Sequence, residues 1–303
     1  MPGPDDAALS TLQPALVVAS FGRDLQVELP DGSVRLARPA NRRLRCLCGD
    51  SVDAERIKGD WVVRHIQPRR EVFYRQDKRD GKRPVAANVD TLLVLASPEP
   101  GCSAEQVDRY LAIAELNGLR PVLLRGKADL PDAAFDAMLA EFNALGYSSL
   151  SVAADQPDSL APLRHQLGQA RSVLCGLSGA GKSTLFNALI PNAAQRTSSL
   201  SAASGEGRHT TTTTLLHQLD GGGWLVDSPG VRDIRLWPMP AGELIRGFRD
   251  LLAHENDCRF ADCSHRHEPG CAVRNAVDAG SISSRRYASF CDLADRLAGQ
   301  LPP

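Results

Sequence analysis

Gly176-Leu177-Ser178-Gly179-Ala180-Gly181-Lys182-Ser183 decides how this chain is read. The run has the G-x-x-x-x-G-K-S spacing of a P-loop. Its glycines let backbone N–H groups wrap phosphate oxygens, and a following helix N-terminus adds partial positive charge. In such a loop Lys182 reaches the β- and γ-phosphates and Ser183 binds Mg2+, with Thr184 next along the phosphates. Ser172–Cys175 reads as a strand leading in, and Thr184–Ile190 as a helix stopped by Pro191. The context is therefore strand, loop, helix, as phosphate binding requires.

Downstream, the apolar run Trp224–Val226 leads into Asp227-Ser228-Pro229-Gly230. This D-x-x-G pattern places Asp227 to hold Mg2+ through water and the Gly230 N–H to meet a γ-phosphate. Val231 follows, where many enzymes of this type carry a Gln that orients the attacking water. Valine cannot do that, so slow intrinsic hydrolysis is expected. Between the two motifs lie His209 and the threonines Thr210 to Thr214, preceded by the small, polar stretch from Ser198 to Gly207. That is the place of a ligand-ordered switch. Thr211 or Thr212 is the candidate to close onto Mg2+, and His209 is the candidate catalytic residue.

Upstream lies Gly126-Lys127-Ala128-Asp129. An aspartate here accepts both N1–H and the exocyclic amine of guanine, a pair that adenine does not offer. Lys127 and Asp129 match the end of N-K-x-D, but Gly126 stands where Asn is usual. Its missing side-chain bond is worth about 1–3 kcal/mol. Ser151-Val152-Ala153, after the next helix, is the candidate backbone contact to guanine O6. In an ordinary GTPase the guanine-reading element follows the other two motifs. Here it precedes them, so the order is circularly permuted.

The flanks differ in texture. Ala15–Phe21, Leu25–Leu29, Ser33–Ala37 and Trp61–Val63 read as short strands, with turns at Asp31-Gly32 and Lys58-Gly59-Asp60. A small barrel of the OB type fits this spacing. From Asn88 strands alternate with helices: Thr91–Ala96, a helix opened by the Ser103/Gln106 capping box, Val122–Leu124, then a helix marked by Phe135, Met138, Leu139 and Phe142. Beyond Pro238 the chain is helical around Cys258, Cys263, His265 and Cys271. Four soft ligands this close suit tetrahedral zinc, and a closed set implies a structural site. His267 is the rival fourth ligand, while Cys46, Cys48, Cys102, Cys175 and Cys291 lack metal spacing.

The fold class expected is thus α/β: a circularly permuted P-loop GTPase domain, preceded by an N-terminal OB-fold β-barrel and followed by a helical zinc-binding domain. The divisions expected are a disordered tail over 1–14, barrel 15–80, GTPase domain 81–237 and zinc domain 238–303. The implied ligands are GTP or GDP with Mg2+ and one structural zinc.

No run approaches the ~20 apolar residues of a membrane span, and Met1 to Pro14 has no apolar signal core. Eight cysteines without an export signal point to a reducing, cytoplasmic compartment. Arg35 to Arg83 carries 15 Lys and Arg against 7 Asp and Glu, in a chain whose net charge is −1. A polyanionic partner suits that asymmetry, as does a plain solvated face.

These residues together resemble the RsgA/YjeQ family, bacterial circularly permuted GTPases that act in small-ribosomal-subunit assembly. The likeness rests on Ala87-Asn88-Val89-Asp90, the P-loop, Gly207-Arg208-His209-Thr210-Thr211-Thr212, Glu268-Pro269-Gly270-Cys271-Ala272-Val273 and Arg286-Tyr287. The resemblance implies binding to the 30S subunit and its 16S rRNA near the decoding region, alongside assembly factors. It further implies slow GTP hydrolysis stimulated by the subunit at a late maturation checkpoint, by a monomer, with His209 catalytic. Two other readings stay open on the residues alone: an RNA scaffold with negligible hydrolysis, kept alive by Val231, and an ATPase or kinase, opposed by Asp129. The permuted order also leads directly from Gly230 into the C-terminal domain, so a γ-phosphate contact is expected to move that domain relative to the barrel.

Overall fold

A computed structural model of the chain describes residues 11–77, 81–191, 213–228 and 234–299. The N-terminal strands are β1 (Gln13–Phe21), β2 (Asp24–Glu28), β3 (Val34–Pro39), β4 (Ser51–Ile57) and β5 (Asp60–Ile66). Gln13 and Pro14, at the end of the expected tail, are already strand, and residues 1–10 lie outside the described residues. β1 pairs with β2, β2 with β3, β3 with β5 in parallel, β5 with β4, and β4 returns to β1. That ring is the five-stranded OB arrangement. Its inward alternation buries Val17, Leu25, Val27, Val52 and Val63 in a core of its own. Gly32 turns the β2–β3 hairpin at φ 77 while Ser33 N donates to the Asp31 carboxylate.

β6 (Val72–Gln76) and β7 (Lys82–Ala87) form a hairpin that the sequence reading missed. The expected border between 80 and 81 falls inside it. Phe73, Val85 and Ala86 of this hairpin are buried in the central core, not that of the barrel.

The central sheet comprises β8 (Thr91–Ala96), β9 (Arg120–Arg125), β10 (Ser148–Ser151), β11 (Arg171–Gly176), β12 (Thr214–Gln218) and β13 (Trp224–Asp227). Their order is β10-β9-β8-β11-β13-β12, all parallel except β12. β8 is buried at every position, as a strand covered on both faces must be. β9 and β10 lie outward from β8 on one side and β13 and β12 outward from β11 on the other, so the sheet reverses between β8 and β11. Ligands bind at the carboxyl end of such a switch point. The helices are α1 (Ala104–Leu116), α2 (Ala133–Ala144), α3 (Ala161–Leu167) and α4 (Lys182–Leu189). The Ser103/Gln106 capping box opens α1, and Gly118, at φ 68, follows its C-cap.

β12 continues the sheet into the barrel by pairing antiparallel with β1, Ala19 opposite Leu215 and Ser20 opposite Thr214. The Ala87-Asn88-Val89-Asp90 segment strengthens this junction. Asn88 sits at φ 56, donates from its amide to Gly49 O at 2.9 Å and accepts from Arg70 N at 2.9 Å. Arg171 Nη1 also donates to Gly49 O, at 2.7 Å. A Cβ at Gly49 would lie 2.2 Å from Ala87 O, so only glycine allows this approach.

The C-terminal region has helical turns at Ala241–Leu244 and Arg249–Leu252, then helices Ala272–Asp278 and Ser284–Ala298. Phe290 and Leu297 of the last helix are buried; Tyr287 and Leu293 are half-buried. Arg286 shares the buried face, 1% exposed. Among the described residues no helix is long and apolar enough to cross a membrane.

Candidate nucleotide site and metal centre

β11 ends at Gly176, whose φ of 143 and whose position against β8 both exclude a side chain: a Cβ there would lie 2.2 Å from Leu95 O. Gly179 and Gly181 take φ of 82 and 94, and Gly181 is the N-cap of α4. The loop thus turns its backbone toward the space above the sheet. Lys182 Nζ donates to the carbonyls of Gly176 and Leu177 and so lies folded over the loop. Leu177 is half-buried, Ala180 buried, and Ser178, Ser183 and Thr184 exposed.

The Gly126-Lys127-Ala128-Asp129 loop leaves the end of β9, two strands from the P-loop. Gly126 N donates to Ala96 O at 2.7 Å. A Cβ at Gly126 would meet Leu95 Cδ1 at 2.9 Å and would lie 3.5 Å from Ala180 O. The two loops therefore lie side by side, and an Asn at 126 would have to displace the end of the Leu95 side chain. Lys127 takes a left-handed φ of 52, with its Nζ 3.8 Å from Glu99 Oε2, and Asp129 is exposed.

Ser151, Val152 and Ala153 follow β10 beside this loop, and Ala128 N donates to Val152 O. The N–H groups of Val152 and Ala153 are already committed, to Arg125 O and to Ser159 Oγ at 2.9 Å each. Among the described residues Ala154 N has no such partner.

Asp227 ends β13, half-buried, next to buried Ser228. Thr214 Oγ1 donates to Ser228 Oγ at 3.3 Å, tying the strand after the first switch to the second motif. His209, Thr211, Thr212, Gly230 and Val231 lie outside the described residues. One residue that motif reading passed over matters here: Arg125, buried at the end of β9. For Arg125 the only signal was a cation one position before the G-K-A-D motif.

In the C-terminal module one ligand atom each from Cys258, Cys263, His265 and Cys271 lie within 4.8 Å of one another. His265 Nδ1 stands 3.5 Å from Cys258 Sγ and 3.7 Å from Cys271 Sγ. Tetrahedral N and S ligands at ordinary metal bond lengths sit ~3.5 Å apart, so the set fits such an ion. Burial lowers the His265 pKa, favouring the neutral imidazole that a metal takes. Burial, with Cys271 and Cys258 nearby, pushes the Cys263 thiol up to about 12. The rival His267 is exposed and outside the cluster. Glu268 closes the loop: its carboxylate accepts from Ser264 N and Oγ, Arg266 N and His267 N, and these bonds hold its pKa well below the usual range. The described cysteines are all free thiols.

Fold and site define a P-loop protein whose guanine-type loop precedes its phosphate loop in the chain, a circularly permuted nucleotide-binding protein. The family model for RsgA GTPase matches residues 66–237. The chain is 41% identical to the small ribosomal subunit biogenesis GTPase RsgA of Azotobacter vinelandii, over 92% of this chain and 84% of that one. It is 40% identical to the protein of the same name from Pseudomonas aeruginosa, again over 92% and 84%. The crystal structure of YjeQ from Thermotoga maritima superposes with a TM-score of 0.77 at 27% identity, covering 95% of this chain and 99% of that one. YloQ, described as a circularly permuted GTPase, shares the fold at a TM-score of 0.76 and 22% identity, with both chains covered in full. This chain belongs to the RsgA GTPase family and is a hydrolase acting on GTP.

Proposed function

We propose that this GTPase binds the 30S subunit through 16S rRNA and serves as a late maturation checkpoint, with slow GTP hydrolysis that the subunit stimulates. The relatives' printed name, small ribosomal subunit biogenesis GTPase, supports the subunit as partner. The observation that carries the nucleotide reading is the closeness of the Gly126 loop to the P-loop at the carboxyl edge of one sheet. Guanine then sits against Asp129 and Lys127, with Ala154 N–H toward O6. The phosphates lie along Gly176 to Thr184 under Lys182. Mg2+ is held by Ser183 and Thr212, with Asp227 behind water. His209, Thr211 and Gly230 complete the site on the strength of their sequence. The working units are 15–80, 81–237 and 238–303, with the β6–β7 hairpin straddling the first border.

Cys258, Cys263, His265 and Cys271 hold one zinc. Four protein ligands leave no open position, so the ion closes a loop and does no chemistry on the substrate. The nucleotide state reaches the barrel through β12, which joins Thr214 beside the switches to β1. The protein acts as a cytoplasmic monomer in concert with other assembly factors.

The test is single-turnover hydrolysis of GTP and of ATP, with and without small subunits. GTP turnover alone is expected far below the ~10 s⁻¹ typical of enzymes and to rise with the subunit, while ATP is not hydrolysed in either case. Equal GTP rates with and without the subunit would refute the checkpoint reading. The same assay of His209→Ala is expected to lose most of the stimulated turnover and keep nucleotide binding.

A further inference from the structure

The guanine loop lacks the side chain at position 126 that would hold it, and the chain supplies a different support from beneath. Arg125, 6% exposed, ends β9 and turns its guanidinium under the loop. Nη1 donates to Lys127 O at 2.5 Å and to Gly126 O at 3.4 Å, and Nη2 donates to Leu130 O at 2.7 Å. Nε donates to Asp136 Oδ1 at 2.9 Å, and the guanidinium carbon lies 6.0 Å from the centre of the Phe135 ring. Both anchors belong to α2, whose N-cap Asp132 fixes Phe135 N. Carbonyls on both sides of Asp129 thus converge on one cation. Leu130 N also donates back to Lys127 O at 2.9 Å, closing the turn.

We propose that Arg125 is the positioning residue of the guanine pocket. It holds the Gly126–Leu130 backbone in the conformation that presents Asp129 and Lys127, in place of the side chain absent at Gly126. This rests on the guanine reading of Asp129 given above. Three features favour it over a plain structural ion pair. The guanidinium spends most of its donors on loop carbonyls, which a lysine cannot match in number or in plane. Lys127 is held at a positive φ, a conformation that needs outside support in a non-glycine residue. The space above Gly126 is closed by Leu95 Cδ1, so no side chain at that position could share the task without movement.

The test compares wild type, Arg125→Lys, Asp136→Asn and Asp129→Asn, titrated with GDP, ADP and Mg2+-pyrophosphate. Charge-assisted hydrogen bonds of this type translate into about tenfold or more in affinity. Arg125→Lys is therefore expected to weaken GDP by about that factor and to narrow the GDP-to-ADP preference, leaving pyrophosphate affinity and the unfolding midpoint near wild type. Asp136→Asn removes the charge of a single, solvent-facing anchor while keeping an acceptor oxygen. It is expected to shift GDP affinity in the same direction by a smaller factor, and it keeps the question open to measurement if Arg125→Lys folds poorly. Equal losses for GDP and pyrophosphate would make Arg125 a general structural residue and overturn the proposal. If Asp129→Asn abolishes the guanine preference while Arg125→Lys and Asp136→Asn leave it intact, the pocket stands and its positioning by Arg125 falls. If Asp129→Asn also leaves the preference intact, the pocket reading fails and takes this inference with it.

Discussion

Two seams join the central domain to its neighbours, and they are built from different materials. At the C-terminal seam, Phe248, Leu251, Val273, Phe290 and Leu297 lie in the same apolar core as Tyr110, Leu111 and Ala112 of α1. Arg286 is buried there, donating to the Asp108 carboxylate and, through Nε, to Asp250 at 2.7 and 2.8 Å. Burial opposes its charge, but Asp250 and Asp108 outweigh that and raise its pKa. Arg249 covers the Tyr147 ring at 3.8 Å and donates to Glu115. The barrel seam is mostly hydrogen-bonded: among the described barrel residues only Cys48 and half-buried Leu16 join that apolar core. The barrel keeps a separate core and meets the sheet through the β1–β12 ladder, Asn88, Arg171 and Gly49. A shared core opens only with the domain it belongs to, whereas a hydrogen-bonded seam opens locally at lower cost. The central and C-terminal domains are therefore expected to move as one body, with the barrel as the part free to respond.

The largest effect is expected at the C-terminal seam. Asp108→Ala strands Arg286, 1% exposed, without one of its two carboxylates, and breaking a buried pair costs about 3–5 kcal/mol. Urea unfolding should show that loss as a lower midpoint, together with weaker nucleotide binding. A midpoint within error of wild type would mean that the two bodies are not fused there. Metal removal comes next. Chelation, or Cys263→Ser, should release about one zinc per chain and loosen the Ala272–Asp278 and Ser284–Ala298 helices by hydrogen exchange, with the barrel strands unaffected and GDP still bound. A folded protein that contains no metal would remove this point of contrast.

Asn88→Ala should act on the other seam. It removes a donor to Gly49 O and an acceptor for Arg70 N, for about 1–3 kcal/mol. Limited proteolysis should then separate the barrel while the rest of the chain stays intact. The smallest effect on stability belongs to surface charge. Arg42→Glu and Arg43→Glu should leave the fold unchanged, weaken subunit binding and flatten its salt dependence. Arg69 is unsuitable for that test although it lies in the same basic segment. Its guanidinium grips Asp50, which is 0% exposed, at 2.7 and 2.8 Å and also binds Arg45 O, so its reversal would damage the barrel itself.

The legibility of the sequence follows the same division. The central sheet could be read because phosphate binding demands glycines at fixed spacing, and because β8 is apolar throughout. The metal cluster could be read because its ligands are close in sequence. The seams were hidden, since their contacts join residues far apart in the chain: Asp108 with Arg286, Gly49 with Arg171, Ser20 with Thr214. Arg286 was visible only through the Arg286-Tyr287 resemblance, which says nothing of its buried carboxylate partners, and no local pattern marked Arg125. β6 and β7 went unread because Arg75, Gln76, Lys82 and Arg83 dilute a short apolar pattern. The Asn88 motif was visible as a resemblance, but its role needed the left-handed backbone and the Gly49 carbonyl to be explained.

Hydrogen exchange on the full chain, loaded with Mg2+ and either GDP or a non-hydrolysable GTP analogue, tests most directly whether the barrel is the responding part. The amides of the β1–β12 ladder around Ser20 and Thr214 should change their protection between the two states, while those of α1 and the Ser284–Ala298 helix stay the same. A change confined to α1 and the Ser284–Ala298 helix, with the β1–β12 ladder silent, would contradict the division into one fused body and one responsive barrel.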